Sequence, residues 1–321
     1  MALDKKIRRS ITNSRSEPGN NHRAQKCESK ATSECDPYFA HEQPLAVADQ
    51  RRIARTPGPL FKFVNPNHLL RSFRLICAVL CLSGGAARAE DVDALIAKGD
   101  QFDKQLQAKE ALEKYLPANK LEPNNVKLLV CIARQYRHLM SDTSSKQEKL
   151  RLGNISLEFA SRAATLAPNN AEAQLSPGIS LGKMLPFMGS KDQVNASPRI
   201  KAAVDRTLLL DPTNDNAWHI LGRWNRVLAN TSVVKRVLAK ALYDGDLPVT
   251  TNEAAEKCLL KAIEINPNRL MHYIELGRIY AQMGRKEEAR KYIQKGMAMP
   301  DKDKDDPEMK EVGKQILQKL G

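Results

Sequence analysis

The sequence is poor in aromatic residues and cysteine, and it lacks the short motifs that mark common enzyme classes. Aromatic residues make up 5% of the 321 residues, and there are six cysteines. We find no phosphate-binding loop, dinucleotide fingerprint, nucleophile elbow, His-Glu-x-x-His motif or paired cysteine site. Strictly alternating apolar and polar stretches, which are typical of strands, are also missing. These absences favour an all-helical protein that is not an enzyme and holds no cofactor.

The few potential metal ligands are scattered along the chain. His138, His219 and His272 fall on different predicted helices, without a carboxylate or thiol at ligand spacing. We therefore expect no metal site. Cys131 and Cys258 fall at helix positions that face a core, which predicts buried thiols, and a disulfide between them requires that they come close in space.

The sequence does contain a repeated stop signal. Four helical stretches end in an aliphatic residue that is followed two residues later by proline, at Pro123, Pro168, Pro212 and Pro267. Proline removes a backbone donor and clashes with the preceding turn, so each copy ends one helix. This recurrence is typical of arrays of antiparallel helix pairs, because a single pair cannot bury its own apolar face.

Within the repeats, the small and apolar residues resemble tetratricopeptide units. The prolines are 45, 44 and 55 residues apart, whereas a plain unit has about 34 residues, so insertions are expected. The residues expected to pack the paired helices of the last two units are Trp218, Leu221, Gly222, Ala255, Ala262, Tyr273, Leu276, Gly277, Tyr280 and Ala289. A partial unit, a full unit and a weaker unit, in which Pro177 replaces the usual leucine, precede them.

These patterns predict a fold class and a domain boundary. We predict an all-α, tetratricopeptide-like α-solenoid of antiparallel helix pairs over residues 91–321, with long intra-repeat insertions. The longest insertion is expected over residues 226–250. A closing helix from Glu308 to Leu320 carries an apolar stripe that is suited to capping the open end of the array.

The first ninety residues differ in kind from the repeats. Residues 1–67 are rich in Arg, Ser, Asn and Pro without periodicity, which predicts a disordered basic leader. Residues 68–89 hold an apolar run followed by a small-x-small sequence, which is typical of a signal peptide cleaved after Ala89. Because such a peptide normally begins a chain, three alternatives stay open: a true start further downstream with export, a two-part organelle-targeting leader, or a retained tail. Membrane contact is expected only through this segment.

Charge is concentrated in two places. The net charge is +14, and residues 1–89 carry 15 basic and 7 acidic residues, or +8 of that total. The repeats are only modestly basic, so no nucleic-acid partner is expected. However, the stretch from Asn216 to Tyr243 has no acidic residue, which favours contact with an acidic partner or an anionic membrane, although a solvated face is the alternative. The candidate partner-binding residues are Arg223, Arg226, Lys235, Arg236 and Lys240.

Several stretches resemble one known family. They run from Asp211 through Trp218, Gly222 and Trp224, from Val234 to Leu242, and from Ala262 to Tyr280. Together they are similar to the regulator of microtubule dynamics family over about residues 91–318, and they match its bacterial or organellar branch at least as well as the animal one. The resemblance implies a tetratricopeptide-like domain that associates with microtubules and spindle poles or sits at organelle membranes, and it brings no catalytic residues.

These patterns together predict a non-enzymatic adaptor for a protein or peptide partner. The family resemblance implies an acidic partner surface such as that of tubulin, and a cytoplasmic or cytoskeletal location. Two alternatives stay open. Cleavage after Ala89 favours an exported periplasmic or lumenal scaffold with no cytoskeletal role, and an unrecognised hydrolase requires a polar pocket with a perturbed titratable group.

Overall fold

A computed structural model describes residues 92–243 and 247–321, and within these ranges the regular structure is entirely helical. The disordered leader predicted over residues 1–67 and the signal-like segment predicted over residues 68–89 lie outside the described residues. The helices are α1 (92–104), α2 (Ala108–Leu121), α3 (Val126–Ser141), α4 (Lys146–Leu166), α5 (Ala171–Met184), α6 (Ser190–Leu210), α7 (Asp215–Ala229), α8 (Val233–Tyr243), α9 (Asn252–Ile265), α10 (Leu270–Gln282), α11 (Lys286–Met297) and α12 (Asp306–Lys319). A single 3₁₀ turn, Leu185–Phe187, follows α5.

The repeated prolines lie in the turns that join one helix pair to the next. In three of these turns an asparagine two residues after the proline caps the following helix. The side-chain oxygens of Asn125, Asn170 and Asn214 accept hydrogen bonds from backbone amides at 3.1, 2.9 and 2.9 Å. Such a cap satisfies an amide that has no partner within the helix. The proline thus ends one helix while the asparagine starts the next.

The chain forms the predicted tetratricopeptide-like α-solenoid, in which consecutive helices pack as antiparallel neighbours. The most extensive packing occurs between α3 and α4, α10 and α11, and α7 and α9, followed by the contacts of α5 with α4 and with α6. Gly222 and Gly277 lie where the paired helices touch: a Cβ at Gly277 would come within 2.5 Å of an Ile293 side-chain carbon and 3.0 Å of the Ala289 carbonyl oxygen. Of the ten expected packing residues, Trp218 and Leu221 are half-buried and the others are buried.

The main departures from a plain repeat are an inserted helix and a proline inside α5. Helix α7 continues to Ala229, so the insertion begins after that residue rather than at residue 226, and it contains α8. Helix α5 continues through Pro177. The buried Thr207 opposite α5 satisfies its hydroxyl by donating to the carbonyl oxygens of Ala203 and Ala171, at 2.8 and 3.3 Å.

Helix α12 covers the last pair, as the apolar stripe predicts. It begins at Asp306, with Pro307 in its first turn, and packs against α10 and α11. Ile316 and Leu317 lie against the cluster formed by α9, α10 and α11. None of the described helices is long and apolar enough to cross a bilayer.

Candidate functional site

The concave side of the solenoid encloses a cavity of about 980 Å³. Its walls come mainly from α3, α5, α6 and α7, together with a few residues of α8 and residues that lead into α12. Apolar side chains such as Leu175, Ile220 and Trp224 form part of the lining. The lining also contains nine lysine and arginine side chains but only four aspartate and glutamate side chains. The cavity therefore combines an apolar surface with an excess of positive charge.

Residues 303–305, which we call the clasp, reach across the concave side to α3 and α5. Nζ of Lys183 lies 2.5 Å from Asp305, whose carboxylate also accepts a hydrogen bond from Ser141 at 2.8 Å. Lys304 pairs with Asp142 at 2.6 Å. These contacts join residues more than 120 positions apart in sequence, so the clasp closes one side of the cavity.

A buried arginine in the cavity wall lacks a carboxylate partner. Arg137 is 7% exposed, and its Nη1 donates to the hydroxyls of Ser176 and Ser180 at 3.3 and 3.2 Å. No described carboxylate lies within ion-pair distance of it. Burial, reinforced by the neighbouring Arg134, lowers the pKa of Arg137 to about 10, so the side chain is still charged at neutral pH. Asp305, Asp303 and Glu172 offset this charge only in part, from beyond ion-pair distance. A buried charge without a paired carboxylate is costly, and an anionic ligand in the cavity would offset that cost.

The structure separates the five candidate partner-binding residues into different environments. Arg223 and Lys235 line the cavity, and Arg223 forms no ion pair within the described part of the chain. Lys240 is exposed on α8. Arg236 is occupied by the backbone: its guanidinium donates to the carbonyl oxygens of Leu247 and Pro248 at 2.7 and 2.8 Å, and also to those of Leu228 and Thr231.

Arg226, the fifth candidate, also lines the cavity but belongs to a buried ion pair. Its Nε lies 2.5 Å from Oε1 of Glu275, and the two residues are 5% and 1% exposed. Burial alone would raise the pKa of Glu275, but the nearby guanidinium groups, with Arg226 the strongest contributor, lower it below its usual value. Because this pair joins α7 to α10, Arg226 is held by the fold rather than presented to a partner.

Two buried histidines lie between α7 and α10. Nδ1 of His272 is 3.0 Å from Nδ1 of His219, and Nε2 of His272 is 3.0 Å from the Asp215 carboxylate. The carboxylate can only accept, so Nε2 of His272 carries the proton and His219 donates to Nδ1 of His272. Burial lowers the pKa of both histidines, that of His219 furthest. Nε2 of His219 is left buried without a hydrogen-bond partner among the described residues.

The two cysteines of the repeat domain lie in the core. Cys131 and Cys258 are both free and buried in separate core clusters, and burial raises the pKa of each. Within residues 92–243 and 247–321, no three His, Cys, Asp or Glu side chains come together as a metal site.

Arg137, Glu275 and the clasp were not among the residues singled out from the sequence. The one available signal was that Arg134 and Arg137 interrupt an otherwise apolar stretch of α3. Nothing local distinguishes Glu275 or Asp305 from the many solvated acids of the chain, because their partners lie 49 and 122 residues away.

Comparison with known proteins places this architecture among its relatives. The family model for Regulator of microtubule dynamics protein 1-3 matches residues 92–321. Mouse Regulator of microtubule dynamics protein 2 is 27% identical over 187 residues, which cover 58% of this chain and 45% of the mouse protein. Bovine Regulator of microtubule dynamics protein 3 is 26% identical over 231 residues, covering 70% of this chain and 48% of the bovine protein. The chain thus spans about half the length of these relatives.

A solved structure supports the fold independently. The crystal structure of a thermophilic tetratricopeptide-repeat protein from Thermus thermophilus superposes with a TM-score of 0.51 at 16% sequence identity, covering 71% of this chain and 99% of that protein. At this identity the likeness establishes the tetratricopeptide-like fold alone.

Proposed function

The chain belongs to the regulator of microtubule dynamics family, and on that premise we propose that it is a non-enzymatic adaptor whose cavity binds an acidic protein segment. The observation that carries this proposal is Arg137, a buried cation that has no carboxylate at ion-pair distance among the described residues, in the wall of a cavity of about 980 Å³. A carboxylate from a partner would supply the missing charge and accept charge-assisted hydrogen bonds.

Other groups in the cavity suit such a ligand. Arg223 offers a second guanidinium without an ion pair in the described part of the chain, and Lys235 stands on the α8 side of the cavity. Apolar side chains between these cations, including Ile220 and Trp224, provide surface for the uncharged parts of a peptide. This combination of convergent charges and apolar walls is typical of sites that orient a ligand by a few polar groups.

The histidine pair gives no support for a hydrolase. Nε2 of His219 is the one ring nitrogen of the pair that has no hydrogen-bond partner among the described residues, so no described serine, threonine or cysteine is hydrogen-bonded to it. A nucleophilic mechanism needs a nucleophile within hydrogen-bond reach of its base. We therefore propose a binding role, and we attribute the lowered pKa of His219 and His272 to burial.

The name shared by the relatives suggests the partner. They are regulators of microtubule dynamics, and microtubules are accordingly the partner we propose for this chain. The excess of cations in the cavity suits an acidic tail of tubulin. The chain spans only about half the length of these relatives, so the proposed partner rests on the half that they share with this chain.

The proposal is tested by titrating the protein into a fluorescein-labelled glutamate-rich peptide and, in parallel, into a peptide with glutamine in place of glutamate. Arg137→Met and Arg223→Glu should each weaken binding of the acidic peptide by about tenfold or more, which corresponds to a loss of about 1.4 kcal/mol. Lys257→Glu is the matched control, because Lys257 is exposed on α9 and does not line the cavity.

Microtubule co-sedimentation of the same variants then tests the proposed partner. Arg223→Glu should reduce the bound fraction while Lys257→Glu leaves it unchanged, and rising salt should reduce binding of the wild type. Equal binding of the glutamate and glutamine peptides would refute the cavity proposal. Retained peptide binding without co-sedimentation would refute only the microtubule assignment.

A further inference from the structure

Helix α8 presents an unusual distribution of side chains. Val233, Val234, Val237 and Leu238 are 74%, 67%, 61% and 48% exposed, whereas Ala239 is 4% exposed. The long polar side chain of Arg236 points inward to the backbone carbonyl oxygens of residues 228, 231, 247 and 248. The helix therefore turns its small and polar side toward the protein and its aliphatic side toward solvent.

The exposed aliphatic residues form one continuous face. At about 100° per residue, Val233, Val237, Val234 and Leu238 follow one another around the helix within about 140°. We call this face the apolar arc. Lys235 and Lys240 lie just beyond its two ends, separated from it by about 60° and about 20°. Both lysines are exposed, so a cation stands at each edge of the apolar arc.

The fold does not require this exposure. Helix α8 packs chiefly against α6 and is held by Ala239 and Arg236. Serine or lysine would fit at the four aliphatic positions without disturbing those contacts. An exposed aliphatic face of this kind on a soluble repeat usually marks a surface that something else covers.

The charge around α8 indicates what covers it. No acidic residue occurs from Asn216 to Tyr243, so the charged residues that α8 itself places beside the apolar arc are cations. A second copy of the chain is disfavoured, because a two-fold contact would bring Lys235 and Lys240 of both copies together. An anionic bilayer fits better: aliphatic side chains enter the boundary between headgroups and acyl chains, while lysines on either side reach the phosphates.

We propose that the apolar arc of α8 docks the protein onto an anionic membrane surface, with Lys235 and Lys240 contacting the lipid headgroups. The helix would lie in the plane of the interface, as its 11 residues are too few to cross a bilayer. This contact is additional to any made by the segment over residues 68–89. Lys235 and Leu238 lie at the border between the apolar arc and the cavity, whereas Val233, Val234 and Val237 do not line the cavity, so variants at the valines test the membrane contact separately.

Vesicle flotation of the full chain tests the proposal, with phosphatidylcholine vesicles compared with mixed phosphatidylcholine–phosphatidylserine vesicles. Val234→Ser combined with Val237→Ser should lower the fraction bound to the anionic vesicles by about fivefold or more. Leu209→Ser is the matched control, because Leu209 is 73% exposed on α6 and is not part of the apolar arc. Lys235→Glu combined with Lys240→Glu should abolish the preference for phosphatidylserine.

A tryptophan reporter separates docking through α8 from binding through another segment. The emission of Val237→Trp should shift to the blue when anionic vesicles are added, whereas that of Leu209→Trp should not. Helical circular dichroism checks that the variants remain folded. An unshifted Val237→Trp in vesicle-bound protein would overturn the proposal, as would wild-type flotation of the double serine variant. If the wild type fails to float, while the double serine variant loses binding to an acidic protein, the apolar arc is a protein-docking face instead.

Discussion

Replacing Glu275 tests whether Arg226 belongs to the fold or to a binding surface. The two side chains are 1% and 5% exposed and 2.5 Å apart, so neither charge is effectively solvated. Removing one member of a buried pair leaves the other charge uncompensated, which typically costs about 3–5 kcal/mol. We expect Glu275→Leu to lower the free energy of unfolding by about this amount, because Arg226 stays behind.

The double variant makes the prediction specific. Removing both charges at once, with Arg226→Met and Glu275→Leu, should restore stability to within about 1–2 kcal/mol of the wild type, since apolar residues often replace a buried pair at little net cost. Urea unfolding followed by circular dichroism gives the three free energies, and their non-additivity is the coupling between the side chains. An unchanged denaturant slope would show that the extent of unfolding is the same.

Two results would refute this reasoning. A loss below about 1 kcal/mol for Glu275→Leu would mean that Arg226 is solvated or otherwise compensated. Additive effects in the double variant would mean that the two groups do not interact. If the pair is structural, Arg226→Met should also bind the acidic peptide as the wild type does under conditions where both are folded. Tenfold weaker binding by that variant would return Arg226 to the binding surface.

Two further predictions concern packing and pH. Gly277→Ala should destabilise the protein by about 1–3 kcal/mol, because the added carbon meets the α11 backbone. Gly182→Ala is the control: its added carbon meets nothing within 4 Å, so it should be neutral or stabilising by up to about 1 kcal/mol. Equal urea midpoints for the two variants would contradict the close contact between α10 and α11. Burial lowers the pKa of His138 to about 4 and also lowers the pKa of His219 and His272. Below about pH 6.5 these histidines therefore bind more protons in the unfolded chain than in the folded one. The free energy of unfolding should fall as the pH drops from there toward about 4, by up to about 1.4 kcal/mol per pH unit for each histidine. Urea midpoints measured across that pH range, with His138→Gln giving a shallower slope, check this, and a flat profile would show that the histidines are solvated.

The helices and their order were readable from the sequence because their causes are local. Proline ends a helix wherever it stands, and the asparagines after Pro123, Pro168 and Pro212 cap the next helix through an amide three residues away. The periodic small residues likewise predicted which faces meet, and Gly277 is buried against its partner helix. The all-α solenoid and its family could therefore be recognised without coordinates.

The site was only partly predictable, because charge in a sequence does not reveal which charges are already paired. Arg223, Arg226 and Arg236 look alike in the acid-free stretch. Tertiary structure leaves Arg223 beside the cavity, buries Arg226 against a carboxylate 49 residues away, and ties Arg236 to backbone carbonyls. Arg137 gains its significance only because no described carboxylate lies within ion-pair distance of it, which is a property of the folded surroundings.

The sequence by itself determined the helix pairs, their caps, their close glycine contacts and the location of a basic insertion, since these depend on neighbours within a few turns. The tertiary structure alone decided that the solenoid closes around a cavity, because the clasp depends on Ser141 and Asp305 meeting across 164 residues. It also decided that α8 faces solvent with its aliphatic side. The direction in which an amphipathic helix turns is set by what it packs against, and that partner is chosen only when the chain folds.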